Sequence, residues 1–159
     1  MENKEESKEK LESNISEILT EITRQNSKIE YNPDDPFSKE QPLKMSINNF
    51  LKRIKKYSKL EKSTLIIILI YSDRMCTTSG IILNPYNIHN IILGCLILAI
   101  KYNQDFYYTN AYYAKVGGVS VDELNAIEYF AFQLIDFNLF VKKDIYQNYL
   151  EFISNYKKK

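Results

Sequence analysis

The apolar positions of this chain change from a narrow stripe to an all-round apolar surface and back again. In the first thirty residues Leu11, Ile15, Ile18, Leu19 and Ile22 recur at helical intervals, with Ile29 as an outlying member, while Glu and Lys fill the other face. The spacing predicts an amphipathic helix from about Glu5 to Ser27. A helix with so narrow a stripe must dock on something. Its own domain is the plain reading, and a further protein partner is the sharper one. Residues 31–43 (YNPDDPFSKEQPL) hold Pro33, Pro36 and Pro42 among turn formers, so this stretch is a connector. Proline lacks the amide donor and clashes with the preceding turn, which stops a helix.

Beyond the connector the pattern predicts a helical array. Ser46 caps a short helix, SINNFLKRIKKY, whose inward set is Ile47, Phe50, Leu51 and Ile54. Ser58 with Glu61 forms a capping-box signature before LIIILIY (65–71), and that helix ends near 77–80. Asn84 and Pro85 make the next turn, and Asn87 is the expected cap of NIHNIILGCLILAIKY. Both of these helices are apolar on every face, so they belong at the centre of a bundle. Isoleucine favours strands, but caps and segment length decide for helix. Thr109 opens a short helix closed by Gly117 and Gly118. Ser120 and Glu123 form a second capping box, ahead of a helix with Leu124, Ile127, Ala131, Leu134 and Ile135 on one face. A last helix, Lys142 to Tyr156, presents Ile145, Tyr146, Tyr149, Leu150 and Ile153. The fold class is therefore all-α.

Composition fits this picture. The 159 residues include only four glycines and four prolines, which suits long uninterrupted helices. An apolar fraction of 45% and a charged fraction of 26% exclude disorder throughout. With 21 basic and 20 acidic residues, the chain lacks the electrostatic footprint of a nucleic-acid binder. Lys157, Lys158 and Lys159 read as a solvated basic end. The opening MENKEESKEK is too polar for a signal peptide, and the run from Ile91 to Ile100 is about half of a membrane span. Cys76 and Cys95 sit inside apolar segments and form no disulfide or metal pattern, so both read as buried thiols. A soluble protein of the nucleus and/or cytoplasm follows, without membrane attachment, metal or cofactor.

Two charges stand where apolar residues are expected. Lys101 follows Ile97 and Leu98 by one helical turn, and Glu128 lies four residues from both Leu124 and Phe132. Such charges pair, snorkel along their stems or face a partner, because isolated buried charge is costly. Tyr102, Phe132 and Phe137 lie near them in sequence, and aromatic residues are enriched at interfaces. Spacing does not separate local pairing from a shared interaction surface. An enzyme reading finds little support: His89 is the sole histidine, no Ser or Cys arrangement suggests a triad, and capping or surface packing is its expected role.

The segments IYSDRM (70–75), NIHNIILGCLILAIKYNQD (87–105), TNAYYAKVGGVSVDELNAIE (109–128) and LIDFNLFV (134–141) resemble the cyclin box. Among cyclins the chain is most similar to the P-type (P/U-type, phosphate-pathway) branch, above all in NAYYAKVGGVSVDELNAIE. The resemblance covers about residues 11–153. It implies a single five-helix cyclin box, residues 44–141. Residues 1–43 precede it as the amphipathic helix and connector, and residues 142–159 follow as a flanking helix. It also implies a non-catalytic regulatory subunit that binds and activates a cyclin-dependent Ser/Thr kinase, in cell-cycle and cell-division control or nutrient signalling. The box lysine and glutamate map to Lys101 and Glu128, which in the family contact the kinase around its C-helix. Tyr102, Phe132, Phe137 and Leu139 complete the implied kinase-binding set, and the box aspartate maps to Asp73, expected to support the fold. Many cyclins carry a Met-Arg-Ala-Ile-Leu segment that recruits substrates. The corresponding region here, LKMSINNFL (43–51), lacks it, which weakens the expectation of docking by that route. With no room for a second cyclin fold, one box and its flanks are expected to carry the function. The competing readings are a DNA-gripping relative, disfavoured by the near-zero net charge, and a helical interaction scaffold that activates no kinase.

Overall fold

The two helices that are apolar on every face pack against each other at the centre of the molecule. In the computed structural model, which describes residues 3–156, they are α3 (Lys62–Ser79) and α4 (Ile88–Asn103). Every residue from Ile88 to Ile100 is buried, so α4 is the axis of the fold. Around this pair lie α1 (Lys4–Gln25), α2 (Ile47–Ser58), α5 (Asn110–Gly117), α6 (Val121–Leu134) and α7 (Lys143–Ser154). No strand occurs among the described residues. Lys157–Lys159, read as a basic end, lie outside them.

The stripe of α1 is covered by its own domain. Leu11, Ile15, Ile18 and Leu19 join the common core, where α1 packs on α2, α3 and α7. Burying an aliphatic side chain of this size contributes about 1.5–3 kcal/mol, enough to fix a helix whose remaining faces are charged. Polar links reinforce the docking: Lys55 Nζ lies 3.2 Å from Glu12, and Asn14 donates to the Ile153 carbonyl at 2.8 Å. Helices α1 and α7 thus close over one side of α3.

Local capping explains several helix ends. Ser46, Thr109 and Ser120 each accept the backbone N–H three residues on, as the sequence predicts. Gly80 and Gly118 end α3 and α5 in left-handed backbone, at φ 76° and 71°. One expected cap is corrected, and a second keeps its position without its side-chain bond. Ser58 is the buried last residue of α2, and α3 instead takes Glu61 as N-cap without a side-chain bond. The capping work passes to Gln104 beyond α4, whose Oε1 accepts the Glu61 N–H at 3.3 Å and the Thr64 hydroxyl at 2.6 Å. Asn87 does hold the N-cap position of α4, but its side chain makes no cap bond. Its amide is drawn away to Asp35 (2.8 Å) and the Ile82 carbonyl (2.9 Å), and its oxygen accepts the Asn84 N–H at 2.9 Å. That trio pins the connector to the α3–α4 turn.

His89 is likewise corrected: it is neither cap nor surface residue. Its ring is buried edge-on against Phe50, with Nε2 2.8 Å from the Met45 carbonyl, so Nε2 carries the proton and donates. Burial lowers its pKa, and Lys39 lowers it further. Of the cysteines, Cys95 is fully buried and Cys76 half-buried. Burial pushes the Cys76 thiol up to about 11 and the Cys95 thiol also upward, so both are inert at neutral pH. No described helix is long and apolar enough to cross a membrane.

Candidate functional site

The close approach of α4 and α6 creates the site. Gly94 on α4 faces Ile127 and Ala131 on α6 so tightly that a Cβ there would lie 3.0 Å from Ala131 Cβ. Small residues at a crossing let helix axes come close. One and a half to two turns along α4, in its last turn, stands Lys101, where a cation suits the helix dipole. Glu128 follows Ile127 on α6. Its carboxylate receives the Lys101 ammonium through both oxygens, at 2.7 and 2.8 Å. The two awkward charges of the sequence therefore pair with each other, across 27 positions of chain.

A third side chain holds the pair. Asn110, the first residue of α5, donates to Glu128 Oε1 at 3.0 Å and to Asn125 Oδ1 at 2.8 Å. Sequence reasoning did not single out Asn110, although it begins the asparagine-alanine-aromatic run that marked the resemblance. The pair remains at the rim: the Lys101 and Glu128 side chains are 31% and 21% exposed, so a partner can reach them. Two of the three ammonium donors point to Glu128, and one is left for another acceptor.

An apolar ledge extends from this rim. Phe132 lies one turn beyond Glu128 and is half-buried, and Phe137 meets it edge-to-face with ring centroids 4.8 Å apart. Phe137 itself is 57% exposed, so much of its ring is open to a partner. Leu139 is half-buried, and its carbonyl accepts the Tyr71 hydroxyl at 2.6 Å. Tyr71 in turn accepts from Asn103, two residues past Lys101, at 3.2 Å. Tyr102 is exposed beside Lys101. The site thus runs from the end of α4, through α6, to the turn after α6. Tyr129 and Phe140, on α6 and in the segment after it, are also exposed, at 60% and 63%, and were missed in the sequence, because exposure has no local signature.

Asp73 lies away from this ledge. It is half-buried between α3 and α7, where it accepts the Tyr149 hydroxyl at 2.8 Å. Burial raises its pKa, the Tyr149 bond opposing the shift. A wide groove of about 1580 Å³ opens elsewhere, between α1, the connector and α7, with Leu43, Met45, His89 and Phe152 on its walls. Among the described residues no cluster of His, Cys, Asp and Glu is arranged to hold a metal.

Comparison with known proteins places the chain in a family. A family model described as Cyclin matches residues 2–139, most of the chain. Cyclin-U3-1 of Arabidopsis thaliana is 40% identical over 103 residues, which is 65% of this chain and 47% of that protein. Cyclin-P3-1 of Oryza sativa is 30% identical over 105 residues, 66% of this chain and 44% of that protein. The PHO85 cyclin-like protein psl1 of Schizosaccharomyces pombe is 35% identical over 158 aligned positions, 89% of this chain and 65% of that protein. The chain spans about half the length of the plant relatives it matches. With its helical box matched over residues 2–139 and with relatives among the U-type and P-type proteins, this chain belongs to the cyclin family, in the P/U-type branch.

Proposed function

We propose that this protein is a regulatory subunit that binds and activates a cyclin-dependent Ser/Thr kinase through the Lys101–Glu128 rim and the ledge of Tyr102, Phe132, Phe137 and Leu139. The observation that supports this reading best is the half-buried ion pair at the rim, bordered by an exposed aromatic ring on a helical frame. One relative is named as PHO85 cyclin-like, which agrees with a kinase partner. Binding energy at such a surface concentrates in a few aromatic and charged anchors. Phe137 is the apolar anchor, and the free donor of Lys101 supplies direction to it.

Activation follows from population shift. A protein kinase needs its own Lys–Glu pair closed in the catalytic cleft, which happens when its C-helix swings inward. A preformed surface that binds the inward state more tightly moves the equilibrium toward it by that difference in affinity. The cyclin contributes no reacting group; the carboxylates and metal ions of phosphoryl transfer belong to the kinase.

The test exchanges the two charges. Lys101→Glu with Glu128→Lys keeps an internal ion pair and inverts its polarity toward a partner. Affinity for purified cyclin-dependent kinases is expected to fall at least about thirtyfold, roughly 2 kcal/mol, with helicity retained. Kinase activity on a histone-type substrate falls with it, and Phe132→Ser with Phe137→Ser weakens binding further. Unchanged binding and activation by the folded exchange variant would refute the surface. Binding of the wild type without any stimulation of the kinase would show a scaffold instead of an activator.

A further inference from the structure

The turn after α6 carries Phe137 on unusual backbone. Asp136 and Phe137 both adopt left-handed conformation, at φ 56° and 58°, with no glycine at either position. Asp tolerates this region, whereas a bulky aromatic residue there is uncommon and strained. Strain of this kind persists only where the surroundings over-determine it, and it concentrates at sites of function.

Here the surroundings are two side chains from α3. Backbone bonds first close the turn: the Phe137 N–H donates to the Phe132 carbonyl at 3.0 Å, and the Asn138 N–H to the Ile135 carbonyl at 3.1 Å. The next two carbonyls are then taken by side chains from far along the chain. Arg74 donates to the Asn138 carbonyl at 2.9 Å, and the Tyr71 hydroxyl donates to the Leu139 carbonyl at 2.6 Å. Asn103 Nδ2 donates to Tyr71 Oη, so the same α4 end that carries Lys101 also orients the Tyr71 hydroxyl. Burial pushes the Tyr71 hydroxyl up to about 12, which keeps it a donor throughout the neutral range.

We infer that Tyr71 and Arg74 are positioning residues: by gripping the carbonyls of Leu139 and Asn138 they hold the left-handed turn that projects Phe137 to a partner. Phe137 would otherwise relax to ordinary backbone and turn its ring. The grip also ties the apolar half of the surface to the charged half, because Tyr71 is hydrogen-bonded to Asn103, which shares the end of α4 with Lys101. What Phe137 touches rests on the kinase reading above. How the turn is held does not.

The experiment uses the full chain with Tyr71→Phe and Arg74→Met, each alone and each combined with Phe137→Ala. Hydrogen exchange is measured at the amides of Phe137 and Asn138, which the turn's backbone bonds protect, and at core amides of α4, and affinity is measured for purified cyclin-dependent kinases. Each single variant is expected to speed exchange about fivefold in the turn, the loss of one hydrogen bond, while α4 changes much less. Kinase affinity falls by a similar factor, and the fall disappears in the Phe137→Ala background, because nothing remains to be positioned. Equal acceleration in the turn and in α4 would overturn the inference, as would unchanged affinity, or an affinity loss of the same size without the Phe137 ring. A wild-type chain that bound no kinase would sink the kinase reading alone, and the exchange data would then decide the grip by themselves.

Discussion

Gly94→Ala is the substitution for which local and tertiary energetics disagree most sharply. In an isolated helix, alanine for glycine stabilises by about 1 kcal/mol. At Gly94 the new Cβ would stand 3.0 Å from Ala131 Cβ and 3.1 Å from Ile127 Cγ2, against 3.4–4 Å for ordinary contact. Ile127 can shift its side chain, but Ala131 Cβ is fixed to the α6 backbone, so the helices must part by a few tenths of an ångström. Overpacking a tight interior costs about 1–3 kcal/mol, which outweighs the propensity gain. The net expectation is a loss of about 1 kcal/mol, or a midpoint lower by about 2–4 °C in a domain of this size. Urea and thermal unfolding read this directly. Adding Ala131→Gly removes the clashing methyl, so the double variant should be more stable than the sum of the singles by about 1 kcal/mol. A higher midpoint for Gly94→Ala alone would refute the reasoning, because it would mean the α4–α6 crossing has room to spare. The same parting lengthens the Lys101–Glu128 contact, so the packing defect should also weaken partner binding.

Two further predictions concern pH. Burial depresses the His89 pKa, so its buried neutral ring contributes stability above the unfolded value of 6.5, and this is lost as pH falls from there through the folded value. His89→Gln, which still offers a donor to the Met45 carbonyl, should flatten the midpoint between pH 7.5 and 5.5; an unchanged slope would contradict the burial argument. Asp73 has the opposite sign. Its raised carboxyl favours folding while protonated, and that contribution disappears as pH rises from 3.8 through the folded value. Asp73→Asn should therefore gain on wild type as the buffer is taken from pH 4 to pH 7 in thermal melts, and a gap that stays constant would count against it.

Much of the helical layout was legible in the sequence because its causes lie within one or two turns. The narrow stripe of α1, the all-round apolar α3 and α4, and the caps at Ser46, Thr109 and Ser120 all act over three or four residues. Even so, local signals misled where a distant group competed. Ser58 is a good cap by type, yet Gln104 took over its duty, and Asn87 holds the N-cap position of α4 with its oxygen spent on the Asn84 N–H and its amide on Asp35. His89 looked like a surface residue because its cover, the Met45 carbonyl and Phe50, arrives from the connector and α2.

For the site, the sequence determined which residues were out of place: Lys101 and Glu128 beside apolar stripes, and Phe132 and Phe137 close to them. It determined neither that the charges meet nor which way the rings face. Those facts depend on the α4–α6 crossing at Gly94 and Ala131, and on the left-handed turn that Arg74 and Tyr71 grip from α3. The physical reason is one of range. Helix propensity and capping are summed over neighbouring residues, whereas an ion pair 27 residues apart forms only after the core has set the distance between two axes.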